Sequence, residues 1–418
     1  MKRRPGRDSA FLCCAAMLHQ KSRKTSLNET LAGGDGFARG MRPALADDGG
    51  AATLAAVQGI FKSSMAGHDF LPFPAMHEWA VPSHGLQVET VDAHAGGQSL
   101  RLILRGVPPL GGRTMVERQA YAERHFDHLR RALLLEPRGH PDLHGCLLTP
   151  PQYHGSHFGV IFMHRGGFRP MCGHGVIALT TLLLECGLVE MKVPETRLRL
   201  DTPVGMIRAY GQIREGQVER VFFENAPSRV VATGCRREVP GLGQVNYDLA
   251  FGGGLFAFVD AGALGLSIAA EAEPALALAG RALLAALAGH PAGEMPESAL
   301  EGMLMGVVFT GPPSRRRGGR ADARQVCVSA GGSVDRSAGG MEICARLALL
   351  SSQGLVRDGV DFAVEGITGS VFRGKIVGRD SDPVTGGAIC EIEGQAWVTG
   401  RHTFLIAEDD PFRSGFLL

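Results

Sequence analysis

The sequence predicts an α/β (α+β) protein with two pseudo-symmetric domains and a site in the cleft between them. Its 418 residues exceed what one hydrophobic core usually supports, which favours two domains. Short alternating or apolar runs, typical of strands, are interspersed with longer runs of helical periodicity. A strand–turn–helix pattern also occurs twice, at 158–184 and 325–350, and this weak duplication indicates two related halves. Clefts between such halves commonly hold ligand sites.

Each predicted element is identified by its residue pattern. Apolar or alternating runs between turn residues predict the strands of the first half, at 86–91, 100–104, 158–163, 197–200 and 206–210. Apolar residues at helical spacing predict its helices, over 114–135 and 176–184. The same patterns predict second-half strands at 217–225, 248–260, 325–329, 363–364, 371–377 and 388–392. Second-half helices are expected over 270–287 and 343–353.

The N-terminal segment differs in composition from the remainder of the chain. Residues 1–78 are rich in Gly, Ala, Asp and Ser and have little periodicity, so we expect a disordered extension. The apolar stretch at 11–18 is short and lacks a clean signal-peptide cleavage site. No apolar run in the sequence reaches the length of a membrane span. A cytoplasmic location is therefore expected.

Charge and cysteine content narrow the class of partner. The net charge is +1 and charged residues make up 20% of the chain, which gives no electrostatic reason to expect nucleic-acid or membrane binding. The arginine-rich run at 315–320 is predicted to be a solvated loop. Nine cysteines without metal-ligand spacing predict neither a disulfide framework nor a metal site. Structural burial is expected for Cys146, Cys186, Cys327, Cys344 and Cys390.

The most informative stretch is Met171-Cys172-Gly173-His174-Gly175, which lies between a predicted strand and a predicted helix. Cys172 would precede a helix N-terminus, where unpaired backbone N–H groups favour the thiolate and lower the thiol pKa. The same N–H groups can bind a carboxylate. A thiolate beside such a carboxylate-binding nest suits abstraction of the α-proton of an amino acid.

The motif also resembles the first catalytic motif of the proline racemase family, whose members racemise, epimerise or dehydrate proline derivatives. Further segments are similar to family segments and occur in the expected order, at 91–97, 136–140, 201–205 and 251–253. The resemblance covers about 79–418. It implies a diaminopimelate-epimerase-like fold, in which each domain wraps a sheet around a central helix.

The resemblance also implies domain boundaries. Residues 79–215 and 390–418 would form the first domain, which carries the Cys172 motif. Residues 216–389 would form the second domain, which carries the motif that includes Asp335 and Gly340. The final strands would thus return to the first domain.

The second motif departs from the family pattern. That pattern is Asp-Arg-Ser-Pro, then Cys or Thr, then Gly-Thr/Ser-Gly, whereas this chain reads Asp-Arg-Ser-Ala-Gly-Gly-Met-Glu over 335–342. Gly339 occupies the second catalytic position, where racemases and epimerases of the family carry Cys and dehydratases carry Thr. A glycine is neither acid nor base, so racemisation is not expected and dehydration by one base remains open. A Thr introduced at 339 should then raise the dehydration rate.

The resemblance assigns roles within the cleft. Cys172 would be the general base. Backbone N–H groups of Gly173 and His174, and those of Gly340 and Met341 at the second helix, would bind the substrate carboxylate. The His174 side chain would lie beside the ring nitrogen, or else on the surface. The Met341 side chain would crowd the pocket or point into the core.

The acidic residues of the second motif admit two interpretations each. Asp335 is expected to pair with the cationic amine of the substrate, the alternative being a turn or helix cap. Glu342 stands where the family has Gly, and it is either a surrogate acid or, as the favoured expectation, an exposed first-turn residue stabilised by the helix dipole. Turn or surface positions without a role are expected for His140, His144 and His402.

The leading hypothesis is a cofactor-independent, metal-free lyase similar to the family's trans-3-hydroxy-L-proline dehydratases, which form 1-pyrroline-2-carboxylate. The segments at 161–164 and 409–418 resemble the dehydratase branch more than the epimerase branch. One alternative is a proline or 4-hydroxyproline epimerase with a different second base. Another is a non-catalytic protein that binds proline derivatives. The expected partners are a small-molecule substrate and, by the resemblance, a second copy in a homodimer.

Overall fold

The structure is a computed structural model that describes residues 84–288, 304–314, 321–382 and 386–418. The extension predicted at 1–78 and the loop predicted at 315–320 lie outside the described residues.

Strands dominate the fold. Seventeen strands lie within the described residues, and hydrogen bonds join them into one continuous sheet. In chain order they are β1 (Leu86–Ala95), β2 (Gln98–Arg105), β3 (His144–Thr149), β4 (Phe158–His164), β5 (Gly167–Arg169), β6 (Glu195–Thr202), β7 (Gly205–Arg214), β8 (Gln217–Glu224), β9 (Arg229–Val239), β10 (Gly243–Phe251), β11 (Leu255–Asp260), β12 (Leu304–Gly311), β13 (Ala323–Ser329), β14 (Phe362–Glu365), β15 (Val371–Asp380), β16 (Gly387–Gly394) and β17 (Ala396–Ile406).

Every predicted strand segment is present, with two kinds of difference. The run predicted as one strand over 248–260 is the hairpin of β10 and β11, because the chain turns at 252–254, where Gly253 has φ +91°. Four strands were not predicted, namely β3, β5, β9 and β12, and β17 was expected only as one of the final strands within 390–418. Most residues of β9 and β17 are at least partly exposed, so these strands lack a strong apolar pattern.

Five α-helices lie within the described residues: α1 (Met115–His125), α2 (Asp127–Leu134), α3 (Gly173–Glu185), α4 (Glu273–Leu287) and α5 (Gly340–Ser352). The single helix predicted over 114–135 is wrong. Phe126 has φ −120° and ψ 7°, outside the helical region, so α1 ends there and α2 starts afresh. The predicted start of α4 at 270 is also wrong, because 270–272 form a 3₁₀ turn.

Two helices, α3 and α5, form the centres of the two halves. Every residue of α3 from Gly173 to Leu184 is buried, as its uninterrupted apolar sequence requires. Strands β1, β2, β3, β7, β8, β16 and β17 pack around α3. Strands β9, β10, β11, β15 and β16 pack around α5. The predicted fold class, with a sheet wrapped around a central helix in each half, is confirmed.

The last long strand returns to the beginning of the described chain. Strand β17 pairs antiparallel with β1 from Leu86 opposite Ile406 to Ala95 opposite Ala396. Strand β16, which precedes it, pairs with β15 and β8 instead. The chain therefore crosses over at Gln395, between β16 and β17. The domain boundaries predicted above stay a proposal.

None of the helices in the described ranges combines the length and the apolar character that a membrane crossing requires.

Candidate active site

All six residues predicted for the site line one cavity, where the N-termini of α3 and α5 meet. These residues are Cys172, Gly173, His174, Asp335, Gly340 and Met341. Further side chains that sequence analysis did not assign to the site also line it, among them His144, His164, Arg169, Cys327 and Glu342.

Cys172 is the N-cap residue of α3. Its backbone is extended, with φ −150° and ψ 110°, and its carbonyl accepts the first helical hydrogen bond, from the N–H of Val176 at 2.9 Å. The N–H of Gly175 donates to the sulfur. A Cβ atom at Gly175 would lie 2.9 Å from that sulfur and 2.8 Å from the Phe162 ring. The second glycine of the motif therefore gives the thiol room over the helix start.

The thiol pKa differs from the sequence-based expectation. Burial raises the pKa of Cys172 to about 12, although the Gly175 N–H and the Arg169 charge oppose the rise. The carboxyl groups of Asp335 and Glu342 raise it further. The loss of hydration on burial thus outweighs the effect of the helix N-terminus on the thiol pKa, and the thiol is neutral at neutral pH.

Two imidazole rings contact the thiol. A ring nitrogen, Nε2, of His174 lies 3.3 Å from the Cys172 sulfur, and Nδ1 of His144 lies 3.8 Å from it. The rings of His144 and His174 meet edge to face at 4.5 Å. His174 is buried, which excludes the surface alternative, and the expectation of a turn or surface position for His144 is wrong. Burial lowers the pKa of His174 to about 3, so both rings are neutral.

The start of α5 faces the start of α3. Gly339 is its N-cap residue and has φ +75°, a backbone conformation that favours glycine. A Cβ atom at Gly173 would lie 2.9 Å from the Cα of Gly340. These two glycines therefore allow the two helix N-termini to approach each other closely. Met341 is buried and belongs to the main core cluster, yet its side chain also lines the cavity.

Asp335 and Arg169 bring opposite charges into the cavity. The Asp335 backbone N–H donates to the Cys327 carbonyl at 2.9 Å, which positions the aspartate beside β13. Burial raises the pKa of Asp335 to about 6, and the Arg169 guanidinium opposes this rise. Asp335 is thus mainly ionised at neutral pH. Within the described residues, the Nε of Arg169 is buried without a hydrogen-bond partner.

Glu342 is buried, with 6% of its surface exposed, so the favoured expectation of an exposed first-turn residue is wrong. The Cys327 thiol donates a hydrogen bond to its carboxyl group. Burial, and then the charge of Asp335, raise the pKa of Glu342 to about 8. The carboxyl group is therefore mainly protonated at neutral pH. Burial was signalled weakly by the sequence, since Glu342 directly precedes the apolar run of α5.

Two groups of side chains could also hold a metal ion by their donor types. The donor atoms of His144, Cys172 and His174 lie within 4.8 Å of one another. The same holds for Cys327, Asp335 and Glu342. Mixed sulfur, nitrogen and oxygen donors fit zinc better than magnesium or calcium. The prediction of a metal-free, cofactor-free reaction stays a prediction.

The cysteines of the described residues are all free. Cys146, Cys327, Cys344 and Cys390 are buried as expected. The expectation for Cys186 is wrong, because it follows the last turn of α3 and is exposed.

The sequence profile described as "Proline racemase" matches residues 90–417. The chain belongs to the proline racemase family. The resemblance carried by the Cys172 motif is thereby confirmed.

Relatives within the proline racemase family carry different activity names. The trans-3-hydroxy-L-proline dehydratase of Homo sapiens is 37% identical over 336 residues, which are 79% of this chain and 94% of that protein. The 3-hydroxyproline 2-epimerase of Burkholderia multivorans is 36% identical over 331 residues, which are 79% of this chain and 98% of that protein. Relatives of nearly equal identity are thus named as a dehydratase and as an epimerase.

A solved structure has the same fold as this chain. It is a hydroxyproline epimerase from Agrobacterium vitis with bound trans-4-hydroxy-L-proline. The sequence identity is 28%, the TM-score is 0.73, and the match covers 81% of this chain and 96% of that one.

Proposed function

We propose that this protein dehydrates trans-3-hydroxy-L-proline to 1-pyrroline-2-carboxylate, with Cys172 as the base. The observation that carries the proposal is the position of the Cys172 thiol at the start of α3, opposite a helix start that carries glycine at 339. A site with one thiol base can remove an α-proton from one face. A reaction whose product has no α-stereocentre needs nothing more from that base.

The substrate carboxylate would bind between the two helix starts. The N–H groups of Gly173 and His174 on α3, and of Gly340 and Met341 on α5, form two facing nests, because the first N–H groups of a helix have no partner within it. The Arg169 charge and its unpartnered Nε–H add to the attraction. The α-carbon would thereby be held near the Cys172 sulfur.

The cationic ring nitrogen would pair with Asp335, which is mainly ionised at neutral pH. His174 would lie beside the same nitrogen. The added positive charge also favours ionisation of the nearby Cys172 thiol, whose pKa is raised by burial. Substrate binding would thus help to form the thiolate that removes the α-proton.

The chemical step breaks two bonds. As the substrate binds, the Cys172 thiol gives up its proton to solvent and becomes a thiolate. The thiolate takes the α-proton, the electron pair of the C–H bond forms a double bond between C2 and C3, and the C3–O bond breaks. The leaving hydroxide takes up a proton and departs as water. The resulting enamine loses a proton from nitrogen and gains one at C3, which gives 1-pyrroline-2-carboxylate. No electrons are exchanged with a cofactor.

A second candidate is epimerisation of a hydroxyproline. Two observations favour it: the Burkholderia multivorans relative named as a 3-hydroxyproline 2-epimerase is about as similar as the dehydratases, and Glu342 lies on the helix that faces Cys172. It requires a second proton-transfer group on the opposite face of the ring. A protein that binds proline derivatives without turnover remains the non-enzymatic alternative.

One assay separates these candidates. The pure protein is incubated with trans-3-hydroxy-L-proline, trans-4-hydroxy-L-proline and L-proline, pyrroline formation is followed with o-aminobenzaldehyde, and optical rotation is recorded in parallel. Pyrroline formed from trans-3-hydroxy-L-proline alone is the expected result. Rapid inversion without pyrroline would replace the proposal with epimerisation, and binding without any turnover would replace it with the binding protein.

A further inference from the structure

Glu342 occupies the space of the side chain that is missing at position 339. A Cβ atom built on Gly339 would lie 2.5 Å from the Cδ of Glu342 and closer still to one of its carboxyl oxygens. Atoms that are not bonded cannot approach so closely. The carboxyl group and a side chain at 339 are therefore alternatives for the same volume.

The local geometry explains how Glu342 reaches that position. Gly339 is the N-cap of α5, so Glu342 is the third residue of the helix, N3. A glutamate at N3 can fold back over the N-cap, as in a capping box. The same arrangement occurs in α1, where the carboxylate of Glu117 at N3 accepts a hydrogen bond from the backbone N–H of the N-cap residue Thr114. In α5 the N-cap residue Gly339 has no side chain, and the Glu342 carboxyl group lies at the cavity wall in the place of one.

The surroundings of Glu342 include groups from several elements. Its carboxyl group interacts electrostatically or by hydrogen bonding with four of them: Cys327 of β13, Asp335 of the loop before α5, Arg169 of β5 and Cys172 at the start of α3. The negative Asp335 and the loss of hydration outweigh the attraction of Arg169. The Glu342 carboxyl group thus lines the same cavity as the Cys172 thiol, from the opposite helix start.

We propose that the Glu342 carboxyl group is the second proton-transfer group of this site, in place of the side chain missing at 339. The inference rests on the proposed function and deepens it. In the dehydration, hydroxide leaving C3 takes the Glu342 proton and departs as water, which leaves a carboxylate. Glu342 then regains a proton and the Cys172 thiol loses one, so the two groups return to the carboxylic acid and the thiolate from which the chemical step begins.

The first test compares Glu342→Gln with the wild type in two reactions. Exchange of the L-proline α-hydrogen in heavy water needs the Cys172 base alone, whereas elimination from trans-3-hydroxy-L-proline also needs an acid. A glutamine keeps the size and the helix-capping ability of the glutamate but has no carboxyl proton. We expect elimination to fall about 10²–10⁴-fold, the usual contribution of a general acid, and exchange to stay unchanged or become faster.

A matched control is Glu117→Gln, which changes the N3 residue of α1, an exposed helix start that does not line the cavity. It should leave both reactions at the wild-type rate. A circular-dichroism melt of each variant records whether the fold is retained.

The outcomes separate this inference from the proposed function. Wild-type elimination rates in folded Glu342→Gln would overturn the role of Glu342 and leave the dehydratase proposal standing. Equal loss of exchange and elimination in a folded variant would also overturn it, because Glu342 would then act through Cys172 or the architecture.

Other results bear on the reaction itself. If the wild type inverts a hydroxyproline without eliminating water, the dehydratase proposal fails. Loss of that inversion in Glu342→Gln, with α-hydrogen exchange retained, would then support Glu342 as the second proton-transfer group of an epimerase. Absence of all turnover in the wild type would overturn both proposals.

Discussion

The buried carboxyl group of Glu342 occupies the space that a side chain at position 339 would need. Gly339 has φ +75°, and a Cβ atom there would collide with the Glu342 carboxyl group. The sequence-based expectation that Gly339→Thr raises the dehydration rate is therefore replaced by the opposite one. A β-branched residue at positive φ is strained even without the collision.

We expect Gly339→Thr to destabilise the protein and to slow turnover. The backbone strain alone costs of the order of 1–3 kcal/mol. Removing the collision in the double variant Gly339→Thr/Glu342→Gly should recover part of the loss, although the strain at φ +75° remains. Chemical denaturation of the two variants measures this difference, and a double variant no more stable than the single one would contradict the overlap.

The thiol at position 172 is the expected base, and Cys172→Ser should abolish turnover. A serine hydroxyl is far less acidic than a thiol and does not supply a base at neutral pH. Exchange and elimination should therefore both be lost, because both begin with removal of the α-proton. Binding should survive, because the backbone N–H groups remain; calorimetric titration with trans-3-hydroxy-L-proline checks this. Cys186→Ser, at the exposed end of the same helix, is the control and should keep full activity.

Glu342 should also give the protein a specific pH dependence of stability. Its pKa is raised from 4.5 to about 8 in the folded protein. Between those values the folded state holds a proton that the unfolded chain has lost, so this contribution to the free energy of unfolding decreases as the pH rises.

The pH prediction is checked by urea denaturation of wild type and Glu342→Gln at about pH 5 and about pH 8. The wild type should lose stability relative to the variant at the higher pH. Because Asp335 is present in both proteins, its own titration largely cancels in the comparison. An equal response of the two proteins would mean that Glu342 is not held neutral by the fold.

At the scale of elements, the site depends on how closely α3 and α5 approach. Gly173 and Gly340 form the contact, and each begins its helix. Both helix starts therefore line one cavity. Under the proposed function, a single substrate carboxylate would accept hydrogen bonds from the first N–H groups of both helices.

Gly173→Ala should disturb this contact, since its Cβ atom would lie 2.9 Å from the Cα of Gly340. Backbone cannot move aside as a flexible side chain does, so the helices must separate, at a cost of about 1–3 kcal/mol. We expect a higher KM together with a lower kcat. Gly378→Ala, where the nearest atom would be 3.7 Å away, is the control and should change neither.

At the scale of the whole molecule, the family match and the described fold cover nearly the same part of the chain. The family profile begins at residue 90 and β1 begins at Leu86. Strand β1 is paired on both sides, with β2 and with β17. The described fold thus has its first strand in the interior of the sheet.

Deletion of residues 1–75 is expected to leave the melting temperature and the activity nearly unchanged. The composition of that segment provides too little apolar surface for a core of its own. A calorimetric scan and the pyrroline assay compare the shortened and full chains. Loss of the cooperative unfolding transition in a soluble deletion protein would show that the segment is part of the folded structure.

The sequence by itself determined the family, the fold class and the six residues that meet in the cavity. Local patterns were sufficient for these three features. A strand or a buried helix is recognised by the spacing of its apolar residues, and a turn by its glycines. Exposed strands such as β9, and the break at Phe126, left no such signal. Backbone geometry at one residue was enough to divide the predicted 114–135 helix.

The tertiary structure alone decided the electrostatics of the site. Burial, and charges brought from distant parts of the chain, set the pKa of Cys172 and of Glu342. They therefore decide whether each group carries a proton at neutral pH. His144 joins the site through β3, from 28 residues before Cys172. Hydration and Coulomb terms act through space rather than along the sequence, so no local pattern could predict them.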